Sequence, residues 1–251
     1  MGTSVNPGIT GVTFDSAGHG LVGVAYLTRG SKPGPTAIIL HGCPGLDHNG
    51  DLAADLRDHG WNALIFHYRG CWGSAGRYDI GTISADVVAA VDYLATAPFP
   101  GIDPDRLVVA GHSMGGLAAI EAAAADDRIK AVVTIAAPAR LDYFGRLPDA
   151  DLEREFTRFL AATPGELRRQ IAEAACRPGP LDLISAISPR PVLIVHGGAD
   201  EWVPAADGHL LHEHAGQPRG YVRIDGANHA LSWHRTELRE LVITWLTKAE
   251  I

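Results

Sequence analysis

Short runs of Val, Ile and Leu recur along this chain, each followed by a longer stretch with the spacing of an amphipathic helix, and this alternation limits the possible folds more than any other feature. Runs at 37–40, 63–66, 107–110, 131–135, 192–195 and 221–224 read as buried strands, while 51–59, 83–96, 116–125, 205–214 and 234–249 read as helices. Strand and helix in turn make β-α-β units, which pack as a largely parallel sheet with helices on both faces. The start of the chain departs from that order. Segments 11–15 and 21–28 read as two strands joined through Ser16-Ala17-Gly18-His19-Gly20, an antiparallel hairpin at a sheet edge, which brings the expectation to about eight strands.

The alternation fails once, between residues 140 and 189, a stretch far longer than an ordinary connection and therefore expected to hold structure of its own. Within it Leu152, Phe156, Phe159 and Leu160 fall at i, i+4, i+7 and i+8, the apolar stripe of a helix. Thr163-Pro164-Gly165-Glu166 reads as a capping box with proline at the first helical position, opening a second helix along Leu167, Ile171 and Ala175. Residues 140–179 are thus expected to form a small helical cap inserted into one domain made of 1–139 and 180–251.

Charge and cysteine content narrow the partners. With 29 acids against 21 bases the net charge is −8, and no run of bases exceeds Arg168-Arg169, which argues against nucleic acid and anionic membrane as partners. Three widely spaced cysteines, Cys43, Cys71 and Cys176, fit reduced thiols and a cytoplasmic setting better than a disulfide framework. Met1 to Asn6 show neither the basic nor the apolar region of a secretory leader, and no apolar stretch approaches the ~18 residues of a membrane span.

Gly111-His112-Ser113-Met114-Gly115 lies between an apolar run and a helix rich in small residues. As letters alone the pattern is weak, since about one chain in eight of this composition would contain it by chance. Its strand-turn-helix setting gives it force, because such a turn holds the serine in a strained, exposed conformation at the end of a strand. A serine hydroxyl needs a base within hydrogen-bond reach and a third group to orient that base. Asp200, after the run 192–195, and His229, after the run 221–224, both fall beyond the carboxyl ends of strands, on the same edge as Ser113. Their order, Ser, Asp, His, is also the one this architecture uses. Acyl transfer further requires N–H donors for an oxyanion: Met114, directly after the serine, and Cys43 in His41-Gly42-Cys43-Pro44-Gly45, where Pro44 has no N–H to give.

Asp142 and Glu201 compete with Asp200 for the acid, and Cys43 competes with Ser113 as nucleophile but lacks the elbow. His209, His212 and His214 fall on one presumed surface helix without a His-Glu-x-x-His arrangement, so a solvated face is preferred to a metal site. His41, His67 and His196 end strands and read as structural, whereas His112 and His234 are candidate neighbours of the site. Gly18 to Gly23 matches the letters of a dinucleotide fingerprint but precedes a strand, and the glycine-rich loop Arg69 to Gly76 lacks the lysine of a phosphate cradle. That loop instead offers Trp72 to a pocket wall. Tyr143, Phe144, Phe156, Phe159 and Trp202 are the other candidate pocket residues, with the stripe from Leu152 to Leu160 read first as packing of the cap onto the body. The seven arginines between Arg140 and Arg177 are matched by seven acids, so no charged substrate is implied.

In order, and over nearly the whole chain, His41-Gly42-Cys43-Pro44-Gly45, Gly111 to Gly116, Asp200 and Gly226-Ala227-Asn228-His229 resemble the α/β-hydrolase superfamily. Tyr68-Arg69-Gly70-Cys71-Trp72-Gly73-Ser74 and Ile102-Asp103-Pro104-Asp105-Arg106-Leu107 look like the small hydrolases grouped with dienelactone hydrolases and dipeptidyl aminopeptidase/acylaminoacyl-peptidase-like proteins. The resemblance implies the α/β-hydrolase fold, with a mostly parallel sheet, an antiparallel N-terminal edge and a small helical cap. It also implies chemistry on esters, lactones or peptides. Two departures favour a small serine esterase: Ser113 replaces the cysteine of a dienelactone hydrolase elbow, and 251 residues leave no room for the propeller of the large peptidases. The expected reaction is cleavage of a carboxylic ester of a small or medium, partly apolar substrate through an acyl-enzyme on Ser113, His229 and Asp200. Neither metal nor organic cofactor is called for. Thioesterase, peptidase or amidase, and lactonase activities would use the same residues, and cofactor-free lyase, perhydrolase or carbon–carbon hydrolase chemistry and a non-catalytic binding role remain alternatives. A small molecule is the expected partner, and the oligomeric state is left open, a homodimer included.

Overall fold

The computed structural model describes residues 8–29, 32–45, 49–96, 99–249 and 251. The reading of Met1 to Asn6 lies outside the described residues. Eight strands form one sheet: β1 (Gly8–Ser16), β2 (His19–Leu27), β3 (Gly34–Leu40), β4 (Asn62–Phe66), β5 (Ile102–His112), β6 (Ile129–Ile135), β7 (Val192–Gly197) and β8 (Arg219–Ile224), in the order β1-β2-β4-β3-β5-β6-β7-β8. β1 and β2 run antiparallel, as expected for the edge, and from β4 to β8 every pairing is parallel. The hairpin is tighter than its sequence suggests. Ser16 pairs with His19, leaving only Ala17 and Gly18, at φ 51° and 82°, as the turn, while the Gly18 N–H donates to the Asp15 carboxylate at 3.1 Å.

Alternation along the central strands divides the core. Ile38, Leu40, Leu64, Phe66, Leu107 and Val109 face one apolar cluster, and their neighbours Ala37, Ile39, Ala63, Ile65, Val108 and Ala110 face a second. Both faces of the sheet are therefore covered, which is why these strands read as unbroken apolar runs. Helices α2 (Ile83–Thr96) and α3 (Met114–Ala125) pack on the first face, and α1 (Gly50–Asp58) and α8 (Arg235–Lys248) on the second. α7 (Ala205–His214) adds Leu211 to the first cluster. Asp86 of α2, fully buried, accepts from Arg69 Nε at 2.6 Å, from the Arg69 N–H at 3.0 Å and from Ser16 Oγ at 2.7 Å, so one carboxylate fastens the hairpin and the loop after β4 to the helix. Removing one member of such a group would leave a buried charge unpaired.

Between β6 and β7 the chain forms α4 (Asp149–Glu155) and α5 (Pro164–Ala175), separated by a 3-10 turn, and then the short α6 (Pro180–Leu183). The stripe from Leu152 to Leu160 does not lie on one helix. The chain leaves helical geometry at Phe156 (φ −126°, ψ −68°), makes a 3-10 turn over Thr157–Phe159 and becomes extended at Leu160. A tertiary contact overrides the local period: Leu160 forms an isolated bridge with Cys71, and the Ala161 N–H donates to the Gly70 carbonyl at 2.8 Å. The capping box is present, with Thr163 Oγ1 accepting from the Glu166 N–H and the Glu166 carboxylate accepting from the Thr163 N–H. Gln170 of α5, buried, donates to the Tyr78 carbonyl at 2.9 Å and accepts from the Ile80 N–H at 3.2 Å, pairing with body backbone much as a strand would. Among the described residues no helix is long and apolar enough to cross a membrane.

Candidate active site

Ser113 sits between β5 and α3 at φ 55° and ψ −121°, a conformation costly for a residue with a Cβ. Its surroundings impose that geometry: the Ser113 N–H donates to the Ile135 carbonyl at 2.8 Å and its carbonyl accepts from the Gly116 N–H at 2.8 Å. Glycine at 111 is a steric necessity, because a Cβ there would overlap the carbonyl of Gly115. The loop after β3 presses on the elbow so closely that a Cβ on Gly42 would lie 2.9 Å from that of Ser113, which sets Cys43 and Met114 beside the serine on the wall of one cavity.

His229, on the loop after β8, lines the same cavity. Its Nδ1 lies 2.8 Å from Oδ2 and 3.0 Å from Oδ1 of Asp200, on the loop after β7. Asp200 is enclosed by donors: the Trp202 and Val203 N–H groups give to Oδ1 at 2.9 and 2.8 Å, and His196 Nε2 stands 3.3 Å from Oδ2. Burial alone would raise the Asp200 pKa, yet the hydrogen bonds from His196, His229 and Val203 outweigh it and hold the carboxyl well below the usual carboxylate range. The backbone of His229 is fixed on both sides. Its N–H donates to Glu201 Oε2 at 3.1 Å, and its carbonyl accepts from His112 Nε2 at 2.9 Å. The rival acids have other partners, since Asp142 is exposed and paired with Arg146 at 3.4 Å while Glu201 holds the backbone of His229. His209 pairs with Glu213 on the exposed face of α7.

The cavity, about 170 Å³, is mostly apolar. The body contributes Cys43, Pro44, Tyr78, Ile80 and Trp202, and the insertion contributes Leu141, Phe144, Leu152, Glu155, Phe156, Leu167 and Ile171. Three of the aromatic residues expected there line it, Phe144, Phe156 and Trp202, the last two meeting edge to face at 5.6 Å. The other three stand outside its wall. Trp72 stacks on Phe159 at 5.6 Å and donates from Nε1 to the Pro44 carbonyl at 2.7 Å, while Tyr143 gives its hydroxyl to Asp207 at 3.1 Å. Sequence reasoning passed over Tyr78, Ile80 and Leu141, which lie on irregular segments where no periodicity marks a buried face. The Cys43 thiol, against the Tyr78 hydroxyl, is pushed up to about 12 by burial, so little of it is thiolate near neutral pH.

The model of the prolyl oligopeptidase family matches residues 53–248, well over half of the chain. An uncharacterized protein of Mycobacterium tuberculosis is 29% identical over 197 residues, covering 78% of this chain and 63% of its own length. Human alpha/beta hydrolase domain-containing protein 17B is 27% identical over 168 residues, covering 67% of this chain and 50% of its own. The chain thus spans about 63% of the length of the mycobacterial relative and about half of the human one. Among solved structures, Est1E from Butyrivibrio proteoclasticus with ferulic acid bound superposes with a TM-score of 0.79 at 23% identity, over 95% of this chain and 98% of that one. At that identity the likeness concerns the fold, and it identifies the α/β-hydrolase fold.

Proposed function

Because the chain belongs to the prolyl oligopeptidase family and has the α/β-hydrolase fold, we propose that it is a serine hydrolase that cleaves carboxylic esters through an acyl-enzyme on Ser113. One observation carries the reading: the strained Ser113 and the Asp200-bound His229 come from three separate loops at the carboxyl ends of β5, β7 and β8 and meet on the wall of one cavity. Asp200 accepts the Nδ1 proton of His229, which leaves Nε2 free to accept. Ser113 Oγ attacks the ester carbonyl carbon as its proton passes to His229 Nε2. The N–H groups of Cys43 and Met114 bind the oxyanion, and the tetrahedral adduct collapses as His229 returns the proton to the leaving alcohol. Water then attacks the acyl carbon as its proton passes to His229, and His229 returns that proton to Ser113 Oγ as the acid leaves.

The cavity argues for the substrate class. Its apolar wall and its volume of about 170 Å³ suit one ring or a short branched chain, close to the space in which a benzene-sized molecule is held in a protein interior. Half of that wall comes from the insertion, which thereby caps the site in this proposal. An uncharged aryl or medium acyl ester fits better than a peptide, which needs space for several residues. The test is a panel of p-nitrophenyl esters, an acyl thioester and an aminoacyl anilide, assayed with wild-type protein and Ser113→Ala. Turnover of medium acyl and aryl esters, lost in the folded variant together with labelling by a fluorophosphonate, is expected. Ester turnover unchanged in Ser113→Ala refutes the mechanism, and preference for the anilide or thioester refutes the substrate class.

A further inference from the structure

Asp200 has a second histidine behind it. His196, the penultimate residue of β7, is fully buried and lines no cavity described above, and its Nε2 lies 3.3 Å from Asp200 Oδ2 and 3.2 Å from the Val203 carbonyl. Both neighbours are acceptors, so the ring must carry its proton on Nε2 and share it between them. The opposite nitrogen, Nδ1, is buried without a hydrogen-bond partner, turned towards α7 where a Cβ on Gly208 would come within 2.8 Å of it. A buried polar side chain that leaves one of its nitrogens unsatisfied costs stability, and a leucine or phenylalanine would fill the same space without that cost. What the imidazole offers in return is its N–H to the carboxylate.

We propose that His196 is a positioning residue for the catalytic reaction, holding Asp200 from the side opposite His229 and moderating the negative charge that His229 meets. The proposal rests on the triad reading above. Oδ1 is held by the Trp202 and Val203 N–H groups, but of the groups at Oδ2 only His229, the residue to be oriented, and His196 approach it among the described contacts. His196 therefore fixes the rotation of the carboxylate without drawing on the base itself. It also shares the carboxylate's charge, so its removal concentrates that charge on His229 and favours the imidazolium. Among the described residues, the other titratable groups beside this carboxylate and His229 are Tyr143, whose hydroxyl is bound to Asp207 of α7, Glu201, which holds the His229 N–H, and His112, whose ring packs on that of His229 and whose Nε2 bonds its carbonyl. None of them donates to Oδ2, so none replaces His196.

The comparison is between His196→Leu, which removes the donor, and His196→Gln, which keeps an N–H at similar reach, with active protein counted by fluorophosphonate labelling of Ser113. In His196→Leu, kcat is expected to fall about 10-fold with KM little changed, and the acid limb of the pH–rate profile to move up by about half a unit to one unit. His196→Gln should restore most of both. A profile unshifted in His196→Leu, or a fall in kcat that His196→Gln shares in full, overturns the proposal and leaves a packing role. A measurement on the wild-type chain covers the case in which His196→Leu does not fold: the ¹⁵N–¹H signal of His196 Nε2 should shift when Ser113 is phosphonylated, because the adduct draws a proton onto His229 beside the shared carboxylate. An unmoved signal overturns the proposal while stoichiometric labelling leaves the triad standing, and absent labelling would count against the triad itself.

Discussion

Asp200→Asn changes one atom and reverses a hydrogen-bond pattern that the surroundings cannot re-form. The amide oxygen can still accept from the Trp202 and Val203 N–H groups, so the NH₂ must take the place of Oδ2, 2.8 Å from His229 Nδ1 and 3.3 Å from His196 Nε2. There it donates to His229, whose Nδ1 must then be the bare nitrogen and whose proton moves to Nε2. That tautomer cannot take the proton of Ser113. A loss of about 10⁴ in kcat is expected, near 5.5 kcal/mol of barrier, with KM almost unchanged because Asp200 does not line the cavity. Stability falls as well, since the NH₂ also faces the N–H of His196, and one buried donor left without an acceptor costs about 1–3 kcal/mol. This second loss depends on pH. The native carboxyl of Asp200 titrates below its unfolded value, so the stability it contributes is complete above about pH 4 and disappears as the pH falls towards the depressed native value. Wild type and variant should accordingly differ most in Tm near neutrality and converge in acid. Hydrolysis of a p-nitrophenyl ester, with active sites counted by fluorophosphonate labelling, measures the catalytic part, and calorimetry from pH 3 to 7 the other. An Asp200→Asn protein that keeps more than a tenth of kcat would refute the reasoning, and a gap in Tm that widens in acid would refute the linkage.

Gly111→Ala should prevent the elbow from forming, at a cost of several kcal/mol read by chemical denaturation, because the new methyl meets the Gly115 carbonyl, whereas Gly165→Ala in the first turn of α5, with nothing near its Cβ, should gain about 0.4–1 kcal/mol. Gln170→Leu strands the Tyr78 carbonyl and the Ile80 N–H in a buried place, so a loss of about 2–4 kcal/mol and a raised KM for medium acyl esters are expected from denaturation and steady-state kinetics, with labelling of Ser113 retained.

The body of the fold was legible because its strands are buried on both faces and its helices on one, which writes two distinct periods into the sequence. α2 and α7 begin and end where periodicity puts them, at Ile83–Thr96 and Ala205–His214. Ser113, Asp200 and His229 were legible for a related reason, since each follows an apolar run and the parallel sheet brings strand ends together. The hairpin turn was placed too widely because Ser16 and His19, polar and able to face solvent, continue their strands through backbone pairing alone. The insertion was readable only where local bonds decide, as at the Thr163 capping box. Between Leu152 and Leu160 the helical period was broken by pairing of Leu160 with Cys71, 89 residues away in the chain and unmarked by any local pattern. For the same reason Trp72, Tyr143 and Phe159 could not be told from Phe144, Phe156 and Trp202 as cavity residues: which way an aromatic ring turns on an irregular loop is settled by distant partners.

The seam between insertion and body is uneven, and on the proposed function that unevenness bears on specificity. From Leu160 to Gln170 the insertion is stitched to body backbone by the Cys71 bridge, the Gly70 carbonyl and the paired bonds of Gln170. The stretch from Phe144 to Glu155 is fastened to the insertion itself through Arg168, which donates to the carbonyls of Gly145 and Leu147 and to Asp149, and meets the body at its two ends, where Tyr143 bonds Asp207 and Phe156 packs on Trp202. One half of the cavity wall is thus a fixed jaw and the other an exchangeable one. On the proposed esterase reading, residues 144–155 are the ones to exchange for a new acyl group, keeping Arg168 as the clasp, Tyr143 on Asp207 and Phe156 against Trp202.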